Sequence, residues 1–116
     1  VLQKRIIRFR DERDWAPFHG PKDLALGAGI ESAELGELFL WKSPGEIKRL
    51  VAEPGFRERV GEELSDVLIY LLLLAHETGV DLGSAVDDKI QKNGDKYPVS
   101  QARGKAEKYT EFGLGG

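Results

Sequence analysis

The amino-acid sequence predicts an all-α protein, a four-helix bundle, from two features of its pattern. Apolar residues recur at three- and four-residue spacing in several long stretches, as they do on the buried face of a helix. Clusters containing proline and glycine, which cannot continue a helix, separate these stretches. The chain has 116 residues, of which 41% are apolar and 32% are charged, so it can bury a core of its own as one domain.

Start and stop signals give approximate bounds for each helix. The four predicted helices are about 1–14, 23–42, 56–78 and 81–97, with a short linking helix at 46–52. Asp23 and Asp81 are predicted N-caps, and Gly79 is the predicted C′ glycine of the third helix. We expect one helical domain over residues 1–98 and a polar, glycine-rich tail over residues 99–116 that is partly mobile.

Composition excludes several classes of function. The formal net charge of −3 argues against a nucleic-acid partner, because such modules are usually basic. Without cysteine, the chain has no disulfide, zinc–thiolate site or thiol nucleophile. Its longest apolar run, residues 67–75, is too short to span a membrane, so a soluble cytoplasmic protein is the expectation. That run is apolar on all sides of its helix, which predicts a homodimer or homotetramer.

Two short acidic sequences stand on the second and third predicted helices: Glu31-Ser-Ala-Glu34 and Glu63-Leu-Ser-Asp66. In each, a spacing of three residues places both carboxylates on one helix face, one turn apart. The same faces carry apolar residues, so we expect all four carboxylates to point inward. Four anionic groups that converge at low dielectric need a positive charge among them.

The expected positive charge is a hard divalent cation. Carboxylate oxygens without a nearby histidine or cysteine favour Mg²⁺, with Mn²⁺ as the alternative. An aromatic residue follows each acidic pair. Trp41 stands seven positions after Glu34, and Tyr70 stands seven positions after Glu63. On the fourth helix, one face carries Lys89, Lys92, Asn93 and Lys96. Alone, such a face is most simply solvated, but beside a cation it could neutralise a phosphorylated substrate.

Longer segments surround these residues: Arg13-Asp14-Trp15, Glu37-Leu-Phe-Leu-Trp41-Lys42, Glu62-Glu-Leu-Ser-Asp66-Val-Leu-Ile-Tyr70-Leu, Lys96-Tyr97-Pro98 and Lys108-Tyr109-Thr110-Glu111. Together with the two acidic pairs they resemble the all-α nucleoside triphosphate pyrophosphohydrolases, the MazG-like group, and most closely its dCTP pyrophosphatase branch. The resemblance spans nearly the whole chain. It implies the four-helix bundle of the all-α NTP pyrophosphatases.

The resemblance also implies Mg²⁺-dependent cleavage of a (deoxy)nucleoside triphosphate, dCTP or a related or modified dNTP, to the monophosphate and pyrophosphate. Water activated by the metal would attack the α-phosphorus. The implied metal ligands are Glu31, Glu34, Glu63 and Asp66. The implied substrate contacts are Trp15, Trp41, Tyr70, Lys89, Asn93, Lys96 and Tyr97. Catalysis is expected from Glu34, Glu37 and Glu63, with Glu34 or Glu37 as the proton acceptor.

One departure and two alternatives accompany this interpretation. Vertebrate dCTP enzymes carry a histidine where this chain has Ile6, which leaves the base preference open. A phosphoribosyl-ATP pyrophosphohydrolase would use the same acids but needs no pair of tryptophans around a base. A non-enzymatic helical interaction module would leave the acids solvated, and Mg²⁺ would then not change its melting temperature.

Overall fold

The computed structural model describes residues 1–104, and its regular elements are all helical. In chain order they are α1 (Leu2–Asp11), a 3₁₀ turn (Ala16–Phe18), α2 (Pro21–Glu37), α3 (Pro44–Leu50), α4 (Pro54–Thr78), α5 (Leu82–Lys96) and α6 (Val99–Ala102). No β-strand is found in residues 1–104, so the predicted all-α fold is confirmed. The expected mobile end of the tail and the segment 108–111 lie outside the described residues.

The chain divides into two compact units, Val1–Val80 and Asp81–Gly116, and each is described by itself. A single domain over residues 1–98 stays a prediction. Among the described helices, no single one is long and apolar enough to cross a membrane; only α4 and α5 counted together pass on length and composition.

The first unit is built on an antiparallel pair of helices, α2 and α4. Gly27 lies against Tyr70 near one end of the pair, and the rings of Phe39 and Phe56 meet beyond the other end with centroids 5.5 Å apart. Residue numbers therefore rise along α2 as they fall along α4. The buried apolar side chains among the described residues come mainly from these two helices: Leu24, Ala28, Phe56, Leu73 and Ala75.

Helix α1 is fastened to α4 by polar contacts at both of its ends. The Gln3 side-chain amide donates to the carbonyl oxygen of Leu72 at 3.0 Å. Near the other end, the buried Arg10 guanidinium donates to the carboxylates of Asp11 and Glu77. A charged side chain with 7% of its surface exposed needs such partners, because an unpaired buried charge is very costly.

Several helix ends agree with the sequence predictions. Gly79 adopts a left-handed conformation with φ 71° and ends α4, and the Asp81 carboxylate caps α5 by accepting from the Ser84 backbone N–H at 3.1 Å. Helix α3 begins two residues earlier than predicted, because Ser43 and Glu46 form a reciprocal capping box around Pro44.

The predicted N-cap Asp23 is wrong. Gly20 is the N-cap of α2 in an extended conformation, and Pro21 is its first helical residue. The fixed φ of proline suits the first helical position, where its missing N–H costs nothing. Asp23 instead lies in the first turn, where a carboxylate still interacts favourably with the helix dipole.

The predicted C-terminus of α2 is also wrong. The helix ends at Glu37 rather than near Lys42, and the chain turns over residues 38–41. Trp41 adopts a left-handed backbone conformation with φ 62°, and 93% of its surface is exposed. It therefore does not lie on the inward face of α2, because that face ends one turn before it.

Within one chain, one face of α4 is left exposed. Leu64, Leu68 and Leu71 keep 52%, 41% and 41% of their surface exposed. Their spacing places them on one helix face. The core of the unit covers another part of the helix, where Leu73 and Ala75 are buried.

Candidate active site

A cluster of carboxylates lies between α2 and α4. Glu31 contributes from α2, and Glu63 and Asp66 contribute from α4, with one oxygen of each side chain within 4.8 Å of the others. The antiparallel packing of the two helices produces this convergence, since it brings the middle of α2 opposite the middle of α4. The sequence predicted that four acids converge here. Three of them do, whereas Glu34, one turn further along α2, is exposed and is not among the residues whose oxygens meet.

In two of these carboxylates, one oxygen atom lacks a hydrogen-bond partner among the described residues. Glu31 and Glu63 are half-buried, whereas Asp66 is exposed. The Oε2 atoms of Glu31 and Glu63 are buried, and within residues 1–104 neither has a hydrogen-bond partner. Buried oxygens of this kind are rare in folded proteins and indicate a missing partner such as an ion or a water molecule.

The electrostatics of the cluster are unfavourable without a cation. Burial raises the pKa of Glu31, and the neighbouring Glu34 side chain and the charges of Asp66 and Glu63 raise it further. Burial likewise raises the pKa of Glu63, with added repulsion from Glu34 and Asp66. Glu34 is exposed and is not one of the three residues whose oxygens meet, yet its charge acts on both.

The cluster can hold a metal ion. Its donors are carboxylate oxygens, which hard divalent cations prefer. Two buried ones, Oε2 of Glu31 and Oε2 of Glu63, have no hydrogen-bond partner in the part of the chain that the structure describes. Burial and the neighbouring carboxylates raise both pKa values, and a cation placed among the oxygens would favour their charged forms. The residues present therefore fit the expected metal.

An aromatic cavity lies beside this cluster in the same unit. Its volume is about 160 Å³, and it is formed by α1, by α4 and by the loop that follows α1. Trp15 is held edge-on between Phe9 and His19, with ring centroids 5.8 Å and 6.5 Å away. The cavity lining is Ile6, Phe9, Arg10, Trp15, His19, Ile69, Tyr70 and Leu73.

Tyr70 connects the cavity to the carboxylates. It stands four residues after Asp66 on α4, which is one helical turn or about 5.4 Å along the axis. On α2, Gly27 lies against the Tyr70 ring and stands one turn before Glu31. The carboxylates of α4 and the Tyr70 side of the aromatic cavity thus lie on successive turns of α4.

Comparison with known proteins identifies the family. A profile of the MazG-like family matches residues 26–112. The chain belongs to the MazG-like family. The resemblance predicted from the acidic pairs and their surrounding segments is confirmed.

Individual MazG-like relatives agree with this assignment. The chain is 48% identical over 114 residues to dCTP pyrophosphatase 1 of Rattus norvegicus, covering 98% of this chain and 67% of that protein. It is 47% identical over 111 residues to dCTP pyrophosphatase 1 of Homo sapiens, covering 96% and 65%. The chain thus spans about two thirds of the length of these relatives.

A solved structure supports the MazG-like fold. The crystal structure of a pyrophosphatase from Archaeoglobus fulgidus DSM 4304 superposes with a TM-score of 0.73 at 42% sequence identity. The match covers 84% of this chain and 89% of that chain. At 42% identity, the two chains are similar in sequence as well as in fold.

The residues predicted for this MazG-like site occupy different places. Trp15 and Tyr70 line the aromatic cavity, whereas Trp41 is not among the lining residues. Lys89 and Asn93 are exposed on α5 in the second unit, and Lys96 and Tyr97 stand at the end of that helix. Glu37 is exposed at the last position of α2, and its charge raises the pKa of Glu63.

His19 is the residue of the site that sequence reasoning left without a role. Its Nδ1 atom is buried and has no hydrogen-bond partner within residues 1–104, although its ring lines the cavity. The available signal was a histidine next to two aromatic residues in a proline-containing loop. That pattern is also typical of a loop that merely closes the end of a core.

Proposed function

We propose that this MazG-like chain is a Mg²⁺-dependent pyrophosphohydrolase of deoxynucleoside triphosphates, with dCTP or a modified relative as its substrate. The products would be the nucleoside monophosphate and pyrophosphate. Relatives named dCTP pyrophosphatase 1, which are 46–48% identical to this chain, support its assignment to the nucleotide pyrophosphohydrolases. The observation that carries the proposal is the aromatic cavity one helical turn from carboxylates that can hold a cation.

The proposed cation is Mg²⁺, with Mn²⁺ as the alternative. Glu31, Glu63 and Asp66 would hold it, and Glu34 stands next to them as the fourth predicted ligand. When bound, such an ion supplies Lewis-acid charge that lowers the pKa of a coordinated water and neutralises phosphate oxygens. Magnesium suits this site because it takes few protein carboxylates and leaves positions for substrate phosphates.

Glu34 is the better of the two candidates for the proton acceptor. Its charge acts on both Glu31 and Glu63, whereas the charge of Glu37 acts on Glu63 alone. A proton acceptor must be within hydrogen-bond reach of the proton it removes, which favours the nearer carboxylate.

The proposed base site is the aromatic cavity. A base stacked on an aromatic side chain such as Trp15 gains about 1–3 kcal/mol with little dependence on its identity. The buried Nδ1 of His19 can exchange a hydrogen bond with the edge of the base, which stacking cannot provide. Trp41, exposed after α2, remains a proposed second base contact.

The phosphates would need further positive charge. We propose Lys89, Asn93, Lys96 and Tyr97 for the phosphates and sugar, on the basis of their shared region of α5. Lysine ammonium groups stabilise the negative charge that develops on leaving pyrophosphate.

Product analysis tests the proposal directly. The chain is incubated with normal and modified deoxynucleoside triphosphates and Mg²⁺, and the phosphorus products are identified. We expect monophosphate with pyrophosphate, and diphosphate with orthophosphate would mean that a different bond is cut.

Glu63→Gln should lower kcat by about 100-fold or more, because it removes a ligand charge. Glu58→Gln, an exposed acid of α4 outside the cluster, should retain activity.

The alternative function that would use the same acids is the hydrolysis of phosphoribosyl-ATP. Truncating Trp41 to alanine should raise KM for dCTP about tenfold if the indole contacts the base, with little loss of stability because the side chain is exposed. Equal KM values for wild type and Trp41→Ala would remove Trp41 from the site. Faster turnover of phosphoribosyl-ATP than of dCTP would favour the alternative.

We also propose that the protein is a homodimer or homotetramer. The exposed leucine face of α4 supports this, because apolar side chains in a row usually find a partner surface. A cytoplasmic location remains our prediction, and a nucleotide substrate fits it.

A further inference from the structure

The turn after α1 is a Schellman motif in which an aspartate takes the left-handed position. The Trp15 backbone N–H donates to the carbonyl oxygen of Arg10 at 3.2 Å, and the Asp14 N–H donates to that of Asp11 at 3.1 Å. These two hydrogen bonds define the motif, and Asp14, with φ 53°, is its left-handed residue. Glycine is the usual residue there, because a Cβ atom is strained in this conformation, and aspartate and asparagine are tolerated better than other residues.

The end of α4 has the same motif with glycine in that position. The Val80 N–H donates to the carbonyl oxygen of Ala75 at 2.9 Å, and the Gly79 N–H donates to that of His76 at 3.2 Å. Gly79 has φ 71°. The two helix ends therefore share one backbone arrangement, but only the motif after α1 leads directly into a residue that lines the aromatic cavity.

Trp15 is held by this turn and by contacts at the edge of its ring. Burial alone cannot hold it, since 44% of its surface is exposed. The Phe9 and His19 rings meet the indole edge-on, with centroids 5.8 Å and 6.5 Å away. An apolar contact between the residue after the left-handed position and the last helical turn commonly accompanies a Schellman motif, and Phe9 supplies it here. The path of the chain at Asp14 thus determines whether the indole reaches Phe9.

We propose that Asp14 is a positioning residue: its left-handed backbone conformation directs Trp15 into the wall of the aromatic cavity. Within residues 1–104 the Asp14 carboxylate forms no hydrogen bond or ion pair, so Trp15 depends on the backbone conformation and not on the charge. The consequence for substrate binding rests on the proposed function, because it takes Trp15 as a stacking surface for the base. Asp14 acts through Trp15 and need not touch the substrate.

Substitutions at Asp14 separate the backbone conformation from the carboxylate. Asp14→Asn and Asp14→Gly remove the charge and keep a residue that accepts the left-handed region. Asp14→Val opposes that conformation, because a β-branched residue is strongly disfavoured there. Gly79→Val is the matched control: it imposes the same strain after α4, where an added Cβ atom would meet nothing within 4 Å. If Asp14→Val does not fold, Asp14→Ala, with Gly79→Ala as its control, applies a milder form of the same strain.

Nuclear Overhauser effects between the ring protons of Trp15 and Phe9 give a readout that needs no activity. We expect them in the wild type, in Asp14→Asn, in Asp14→Gly and in Gly79→Val. Asp14→Val should lose them. Their retention in Asp14→Val would overturn the inference. Their loss in Gly79→Val would also overturn it, because the indole would then respond to any loss of stability.

Steady-state kinetics with dCTP and Mg²⁺ test the consequence for binding. We expect Asp14→Val to raise KM about tenfold and to change kcat by less than about twofold, because it removes a stacking contact and leaves the carboxylates in place. Asp14→Asn and Asp14→Gly should keep the wild-type KM. A lower kcat at unchanged KM would contradict the inference. An equal rise of KM in Asp14→Gly and Asp14→Val would show that the carboxylate acts instead of the backbone.

The outcomes separate this inference from the proposed function. If the wild-type chain releases no pyrophosphate from dCTP, the proposed function fails, and the Overhauser effects still decide the role of Asp14. If the wild type hydrolyses dCTP and Asp14→Val keeps both the Overhauser effects and the KM, only the role of Asp14 fails.

Discussion

In the folded chain without a cation, the surroundings of Glu31 and Glu63 disfavour the ionised form of both side chains. Burial and the neighbouring carboxylates raise the pKa of both groups above the ordinary value of 4.5. A carboxyl group with a raised pKa holds its proton more tightly in the folded chain than in the unfolded chain. Its contribution to the free energy of unfolding is therefore greatest below the unfolded pKa and is lost as the pH rises through the folded pKa.

This sign leads to a prediction for the metal-free protein. In the presence of a chelator, Glu31→Gln/Glu63→Gln should melt at a higher temperature than wild type at pH 7 to 8. The difference should shrink as the pH falls and disappear well below 4.5, where both carboxyls are protonated in the folded and the unfolded chain. Added Mg²⁺ should raise the melting temperature of wild type but not that of the variant.

Thermal melting across this pH range, with and without Mg²⁺, provides the measurement. Glu58→Gln serves as the control for loss of one acid elsewhere on α4 and should follow wild type. A stability difference that does not change with pH would show that the two carboxyls are not destabilised by their surroundings.

Three of the acids predicted for the cluster do meet, and helical spacing alone places Glu63 and Asp66 on one face. The same spacing also predicted Glu34, which is exposed and stands outside the cluster. Trp41 could not be placed in the same way. No proline or glycine stands between Glu37 and Trp41 to signal the end of α2. The chain leaves the helix there and packs the ring of Phe39 onto the buried Phe56, a tertiary contact that sequence periodicity does not show.

At the scale of elements, an ion pair with a buried arginine holds one end of α1 against α4. The Arg10 side chain has 7% of its surface exposed and pairs with Glu77 of α4, whose side chain is 30% exposed. The sequence gives no reason to choose Glu77 among the many acids of the chain, since the pairing depends on how α1 crosses α4. Arg10 also lines the aromatic cavity, so its position affects the proposed base site.

Removing Arg10 should therefore loosen α1. We expect Arg10→Ala to lower the free energy of unfolding by about 2–3 kcal/mol, because Glu77 would remain partly buried without its partner. Arg8→Ala, an exposed arginine of the same helix, should change it by less than about 0.5 kcal/mol. Urea denaturation of both variants measures the difference. Equal values for Arg10→Ala and Arg8→Ala would contradict a structural role for the ion pair.

At the scale of the whole molecule, the apolar surface of the first unit exceeds what its own core covers. On α4, Leu64, Leu68 and Leu71 form one exposed face, and on α2 Leu26 and Ile30 are 60% and 62% exposed. The sequence predicted that residues 67–75 form a helix that is apolar on all sides. It could not show which of them the chain itself covers, because that depends on the angle and register of helix packing.

Charged substitutions on the exposed leucine face of α4 should dissociate the proposed oligomer into smaller species. Leu68→Asp/Leu71→Asp places two charges on this face, and desolvating them in an interface is unfavourable. We expect its mass measured by light scattering to fall to half the wild-type value or less. Val51→Asp, at a residue that is 43% exposed after α3, should keep the wild-type mass. A wild type that is already monomeric, or a double variant of unchanged mass, would show that this face does not join copies of the chain.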